Sequence, residues 1–266
     1  MAFYIIFAPQ NCSYMNSKIY VLLFLMAGLL SACDPHKKVE NPAVLIKDAV
    51  TDVDGNTYDA ALIGGHLWMA SNLKTTHYAD GEPIAQSQAQ YSDSVPYYYL
   101  PQNELTNVER YGLLYNWMAA VKGSMPATEH ATIVQGVCPD GWHLPTYNDW
   151  KALADTVKLN KSYTDYSGSV AKAMAATVGW DSSIVRMSPG RDFMRNGATG
   201  FNAMPAGCFN FGNFVDLGTY AHYWTATRVS ENSIYAVSWN VGYDKTNPTS
   251  HESSLYCGFS VRCVQD

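Results

Sequence analysis

Four cysteines in the second half of the chain, Cys138, Cys208, Cys257 and Cys263, restrict its fold more than any other feature. The remaining two, Cys12 and Cys33, lie in or at the end of an N-terminal leader. An even number of cysteines in an exported chain predicts two disulfides, for which three connectivities exist, and export disfavours four free thiols. One connectivity fails on geometry. From Leu255 to Val264 the residues alternate, with Cys257, Phe259, Val261 and Cys263 on one face and Gly258, Ser260 and Arg262 on the other, which is the period of a strand. Along a single strand at ~3.3 Å per residue, Cys257 and Cys263 stand about 20 Å apart, while a disulfide needs its Cα atoms within about 7 Å. Two connectivities remain. We favour Cys138–Cys263 with Cys208–Cys257 over the crossed Cys138–Cys257 with Cys208–Cys263. Each bond would close a long loop, worth about 4 kcal/mol if it acts through the entropy of the unfolded chain.

Export is read from the N-terminus. Asn16-Ser17-Lys18 is a short positive region, and Ile19 to Leu30 is a run of twelve mostly apolar residues. A membrane-spanning helix needs about 20, so the run has the length of a signal-peptide core instead. Leu30-Ser31-Ala32-Cys33 follows it. Small residues before a cysteine resemble the bacterial lipobox, which implies cleavage after residue 32 and acylation of Cys33. Several acyl chains at one end anchor firmly, where a single chain holds only marginally. Met15 begins a more typical signal than Met1. The expected organisation is a lipoprotein signal at 1–32, a polar tether with two prolines at 33–48, and one domain at 49–266. The expected location is the cell envelope, as an outer-membrane lipoprotein whose domain faces either the periplasm or the outside.

With a net charge of −6, the chain offers no clustered basic surface, so nucleic acid is excluded as a partner. Aromatic residues make up 13% of it and charged ones only 15%, a composition suited to a well-packed globular core and foreign to disordered or collagen-like chains.

Local patterns give the elements. Val50 to Met69 reads as a hairpin or short meander turning at Asp54-Gly55 and Gly64-Gly65. Asp52-x-Asp54-Gly55 is not a calcium loop, because the EF-hand glycine and distal glutamate are misplaced. Tyr111, Leu114, Tyr115 and Met118 recur at helical spacing and predict a buried-face helix. Thr146 with Asp149 forms a capping-box start for a helix carrying Trp150, Leu153, Ala154 and Val157. Ser169 to Val178 predicts a weaker third helix. Tyr223–Thr227, Ile234–Val241 and Leu255–Val264 read as antiparallel strands. Helices followed by strands give an α+β class with a twisted antiparallel sheet, two to three helices and long loops.

Several stretches in order resemble the Fibrobacter succinogenes major paralogous domain. They are Asp54-Gly55-Asn56-Thr57-Tyr58, Ile63 to Leu73, Tyr111 to Trp117, Cys138-Pro139-Asp140-Gly141-Trp142-His143-Leu144-Pro145, Gly200 to Gly207, Tyr223-Trp224-Thr225 and Gly258 to Val264. Together they span about residues 50–265. The resemblance implies a C-type lectin-like fold, in which the termini meet in a sheet and long loops form the variable surface. Only the Cys138 and Cys263 positions recur in the common pattern; Cys208 and Cys257 look like additions to it.

No G-x-S-x-G, H-E-x-x-H, C-x-x-C or P-loop occurs, and no catalytic residue is assigned. No metal set is assigned either: the histidines are scattered, and His143 with His222 lacks a third ligand. Arg262, opposite the apolar face of the last strand, is assigned a structural role, pairing with a carboxylate or reaching carbonyls. One enzymatic alternative comes through the implied fold, which is shared with formylglycine-generating enzymes that use a reactive cysteine pair with copper. Cys257 and Cys263 are its nearest candidates here, and it requires both to be free thiols. A binding or adhesion domain is the preferred expectation, for a glycan or an envelope protein. The loops 180–196, 209–219 and 243–254 are its expected surface. Phe209, Phe211 and Phe214 beside Asn210 and Asn213 suit stacking on sugar faces or packing on protein. Asp216, Asn240, Asp244 and Asn247 supply oxygens for calcium, the one cofactor considered. No E-P-N or Q-P-D triplet of the true C-type lectins is present.

Overall fold

The computed structural model describes residues 40–124 and 133–266. The leader, Cys33 and residues 33–39 of the tether lie outside the described residues. Among the described residues the first strand is β1 (Leu45–Thr51), which begins inside the stretch expected to be tether, and β2 (Thr57–Ile63) and β3 (His66–Met69) follow it. This is the expected meander. Its first turn is closed by the buried Asp52, whose carboxylate accepts from the Asp54 and Asn56 amides at 3.0 and 2.9 Å and from the Tyr58 hydroxyl at 2.5 Å. That carboxylate has a structural job.

The chain then gives β4 (Ala85–Gln86), β5 (Tyr97–Tyr99), α1 (Val108–Tyr111), β6 (Leu114–Tyr115), α2 (Trp117–Ala120) and β7 (Trp142–His143). Three helices follow, α3 (Tyr147–Leu159), α4 (Lys161–Ser167) and α5 (Val170–Met174). The C-terminal part holds β8 (Ala206–Asn210), β9 (Asn213–Leu217), β10 (Tyr220–Arg228), β11 (Tyr235–Gly242), β12 (Thr249–Ser254) and β13 (Val264–Gln265). A first sheet has the order β1-β2-β3-β13-β7 and a second β12-β11-β10-β8-β9, with a small third sheet of β4, β5 and β6. The class is α+β; the first sheet is antiparallel throughout, while the second and third are mixed, because β8 runs parallel to β10 and β4 parallel to β5.

Helix α3 starts as its sequence predicts: the Thr146 side chain accepts from the Asp149 amide, and the Asp149 carboxylate accepts from the Thr146 amide. Trp150, Leu153 and Val157 form its buried stripe. Trp150 anchors an aromatic core, with Trp68, Tyr223, Phe201 and Trp239 at ring-centroid distances of 5.2, 5.1, 5.5 and 6.1 Å.

Three local expectations are corrected. Tyr111, Leu114, Tyr115 and Met118 are buried, but not on one helix. Gly112, at φ +73°, ends α1, and Leu114–Tyr115 joins β5 as a strand; the side chain of Asn72 and the backbone of Leu73 crowd the place a Cβ would take there. The helix expected over 169–178 is reduced to α5, five residues long. Leu255–Val264 is not one strand. Gly258 bridges Phe209, Phe259 bridges Tyr115 and Ser260 bridges Tyr223, and only Val264–Gln265 enters a sheet. Residues 257–264 are all buried, so the alternation records two different sets of interior neighbours, where the sequence reading assumed a core face and a solvent face.

The cysteines divide accordingly. Cys138 and Cys263 form a disulfide, with Cα atoms 5.9 Å apart. Cys208 and Cys257 are free and buried, so the second expected disulfide is absent. The Phe209–Gly258 bridge explains this, because it sets Asn210 opposite Cys257 and Phe259 opposite Cys208. The two thiols are therefore diagonal neighbours, about 7–8 Å apart at Cα, beyond the reach of a relaxed disulfide.

Candidate functional site

Strands β8 and β9 form a hairpin whose register, Asn210 with Asn213 and Phe209 with Phe214, leaves Phe211-Gly212 as a two-residue turn. Both turn residues have positive φ, +47° and +79°. This is the turn family that matches strand twist, and it strongly favours Asn-Gly. Phenylalanine in the left-handed region carries a backbone penalty of about 1–2 kcal/mol. The residue is 64% exposed there, its ring against Tyr256 at 5.0 Å and Tyr91 at 6.5 Å. The three aromatics proposed from sequence thus separate. Phe209 is core, stacked on Tyr99 at 4.1 Å. Phe214 is half-buried against Phe209 at 5.2 Å. Only Phe211 is presented outward.

Beside this turn a cleft of about 580 Å³ opens between the β8–β9 hairpin and the face of β10, β11 and β12. Phe211 and Tyr256 stand on its wall with Cys208, Asp216, His222 and Asn240, while β12 contributes His251 and Glu252. His222 is held from every side. Its ring stacks between Tyr220 at 5.5 Å and Phe259 at 5.1 Å, and Asn240 is its direct cross-strand partner on β11. Nδ1 lies 3.1 Å from Asn240 Oδ1, within hydrogen-bond reach. Nε2 faces Asp216 Oδ2 at 3.1 Å, and the neighbouring imidazole holds the Asp216 carboxyl below the usual carboxylate range.

Asp216 reaches the cleft through a backbone distortion. Val215 and Asp216 are consecutive in β9, yet both line the cleft, which a regular pleat forbids. Asp216 has φ +62°, and Gly207 across the hairpin has φ +65°. A Cβ at Gly207 would lie 2.2 Å from the Val215 carbonyl oxygen, so the opposing strand must have glycine there.

Of the residues proposed for binding, Phe211, Asp216 and Asn240 converge on this cleft, and Phe209 and Phe214 do not. Asp244 and Asn247 lie on the turn between β11 and β12, away from its wall, so the oxygens proposed for calcium are not gathered there. Sequence reading sets His222 beside His143 and leaves it without a role; its actual partner, Asn240, depends on the β10–β11 register. It also missed the place of Cys208, which it assigned to a disulfide. The one available signal, period-two patterning in both strands, brings them together only once that register is known.

The cysteine-dependent alternative loses its pair, because Cys263 is in a disulfide. Burial pushes the Cys257 thiol up to about 12 and raises that of Cys208 further, the opposite of what a reactive cysteine needs. Arg262 is structural, as expected, and reaches carbonyls and an amide oxygen. His143 is bound to Asp266 at 2.7 Å, and neither residue lines the cleft.

A family model described as the Fibrobacter succinogenes major domain matches residues 62–265. No curated protein and no solved structure matches the chain.

Proposed function

This chain belongs to the Fibrobacter succinogenes major domain family, and from that premise and the cleft we propose that it is an exported binding protein without catalysis of its own, taking a glycan between the β8–β9 hairpin and β10–β12. Cys33 anchors it to the envelope membrane as a lipoprotein. The observation that carries this reading is Phe211, an aromatic ring displayed at a turn position that costs backbone energy, next to amide and carboxylate oxygens. Strain of this kind persists where function maintains it. Sugars present an apolar ring face and a rim of hydroxyls; a flat aromatic with convergent polar groups answers both. Kinship with the C-type lectin-like fold is part of the same proposal. It is supported by the C-terminal β13 entering the N-terminal sheet beside β3.

The test is a glycan array with the purified protein, followed by titration of the best ligand against Phe211→Ala. A loss of affinity of about tenfold or more is expected for removal of a stacking ring. No glycan bound, or binding indifferent to Phe211→Ala, would sink the reading. Adhesion to an envelope protein is the second reading. It is favoured by Ile184 and Met194, which are 92% and 77% exposed in a loop well removed in sequence from the cleft strands.

A further inference from the structure

The geometry points to a zinc site on the wall of this cleft, formed by Cys208 Sγ, an Asp216 carboxylate oxygen and His222 Nε2. One ligand atom from each residue lies within 4.8 Å of the others. A tetrahedral zinc ion with bonds of about 2.0–2.3 Å sets its ligands roughly 3.5 Å apart, so small side-chain adjustments close the set around one ion. The Asp216–His222 edge is already at 3.1 Å.

The arrangement of His222 supplies the second, independent argument. In the tautomer that donates Nδ1–H to Asn240 Oδ1, 3.1 Å away, the Nε2 lone pair is the one free to bind a metal, and it stands beside the Asp216 carboxylate and the Cys208 thiol. The Nδ1–H to carbonyl bond is the support that metal-binding histidines ordinarily have, and stacking between Tyr220 and Phe259 fixes the ring plane. The left-handed backbone at Asp216, opposite a glycine that nothing larger can replace, delivers the carboxylate to the same place.

Mixed sulfur, nitrogen and oxygen ligands suit zinc, and not the all-oxygen shells of calcium or magnesium. Three protein ligands leave one tetrahedral position for water or for an atom of whatever occupies the cleft. The site shares the cleft with the proposed glycan but does not depend on it.

The full-length protein, stripped with a chelator, is titrated with zinc chloride in glycan-free buffer, and bound metal is counted after gel filtration. One zinc per chain is expected, together with protection of Cys208 from alkylation after mild unfolding. Cobalt loading is expected to produce a thiolate-to-cobalt charge-transfer band. Cys208→Ser and His222→Gln should each abolish stoichiometric binding, and Asn240→Leu should weaken it by about 10–100-fold as an outer partner of the histidine. Cys257→Ser, which removes the other buried thiol of the cleft, should bind zinc as the parent does. Less than one equivalent in the parent, or full binding retained by Cys208→Ser or His222→Gln, overturns the site. Because no glycan is present, failure here leaves the glycan reading standing, and failure of the array leaves this one standing.

Discussion

Arg262 brings a guanidinium to a position with no solvent exposure, and what surrounds it is oxygen without formal charge. Its nitrogens donate to the Met69 carbonyl at 2.8 Å, to Asn72 Oδ1 at 2.6 and 3.2 Å, and to the Phe201 carbonyl, with the Phe201 ring 4.4 Å from the charge centre. Those oxygens come from the end of β3 and the loop after it, and from the loop before β8, so one side chain cross-links segments far apart in sequence. Burial lowers its pKa, yet nothing within the ordinary pH range removes its proton. Lysine has one ammonium to offer where the site uses a planar fork. Arg262→Lys is therefore expected to lower unfolding stability by about 3 kcal/mol, through acceptors left without donors in the interior. Urea unfolding of the two proteins measures it, and a loss below about 0.5 kcal/mol, the scale of an ordinary surface substitution, would refute the role. The same scale separates Phe209 from Phe211: two residues apart in one aromatic run, one is core and one is displayed, because Phe209 is still in β8 and Phe211 is the first residue of the turn. Composition identified the run, and only the register could divide it.

At the level of elements, His143 on β7 connects the start of α3 to the C-terminal segment. Its Nδ1 lies 2.7 Å from Asp266 Oδ1 and its Nε2 3.8 Å from the Asp149 carboxylate that caps the helix. Burial alone would lower the histidine's pKa, but the two carboxylates outweigh it and raise the pKa above 6.5. A histidine whose folded pKa is raised binds its proton more tightly in the native state. Its contribution is complete below the unfolded value of about 6.5 and disappears as pH rises through the higher folded value. Thermal stability is expected to decline as pH rises above about 6.5, and His143→Gln should flatten that decline. An unchanged slope in the variant would assign the pH dependence elsewhere. The capping box beside it was legible from Thr146 and Asp149 alone because its interactions are local. The β1–β3 meander was legible for the same reason, its turns being marked by Asp54-Gly55 and Gly64-Gly65. The stretch 111–118 was misread because helical spacing in four apolar residues also fits a chain that breaks at Gly112 and buries both sides. Strand β12 has no strand signature in the sequence because its residues, Thr249-Ser250-His251-Glu252-Ser253-Ser254, are polar at an exposed sheet edge and carry no alternation to read.

For the molecule as a whole, the decisive constraint is the Cys138–Cys263 disulfide. Cys263 directly precedes β13, the strand that joins β3 to β7, and its carbonyl accepts from the Met69 amide at 3.0 Å. Cys138 lies just ahead of β7. The bond therefore fixes the centre of the first sheet while spanning 125 residues of sequence, including all of α3–α5 and β7–β12. Closing a loop of that size in the unfolded chain is worth about 5 kcal/mol if the effect is entropic, a large share of the 5–15 kcal/mol by which domains are usually stable. Unfolding in urea with and without reductant is expected to differ by roughly that amount, and Cys138→Ser should reproduce the reduced value. Thiol counting on the same samples discriminates among the cysteine arrangements. Oxidised native protein should leave Cys208 and Cys257 unlabelled because they are buried, and oxidised unfolded protein should expose both while Cys138 and Cys263 stay protected. If Cys208 and Cys257 stay unlabelled in the unfolded oxidised chain, they are bonded and the Phe209–Gly258 register is wrong. Since that register also forms one side of the cleft, the placement of Cys208 beside Asp216 and His222 would fall with it.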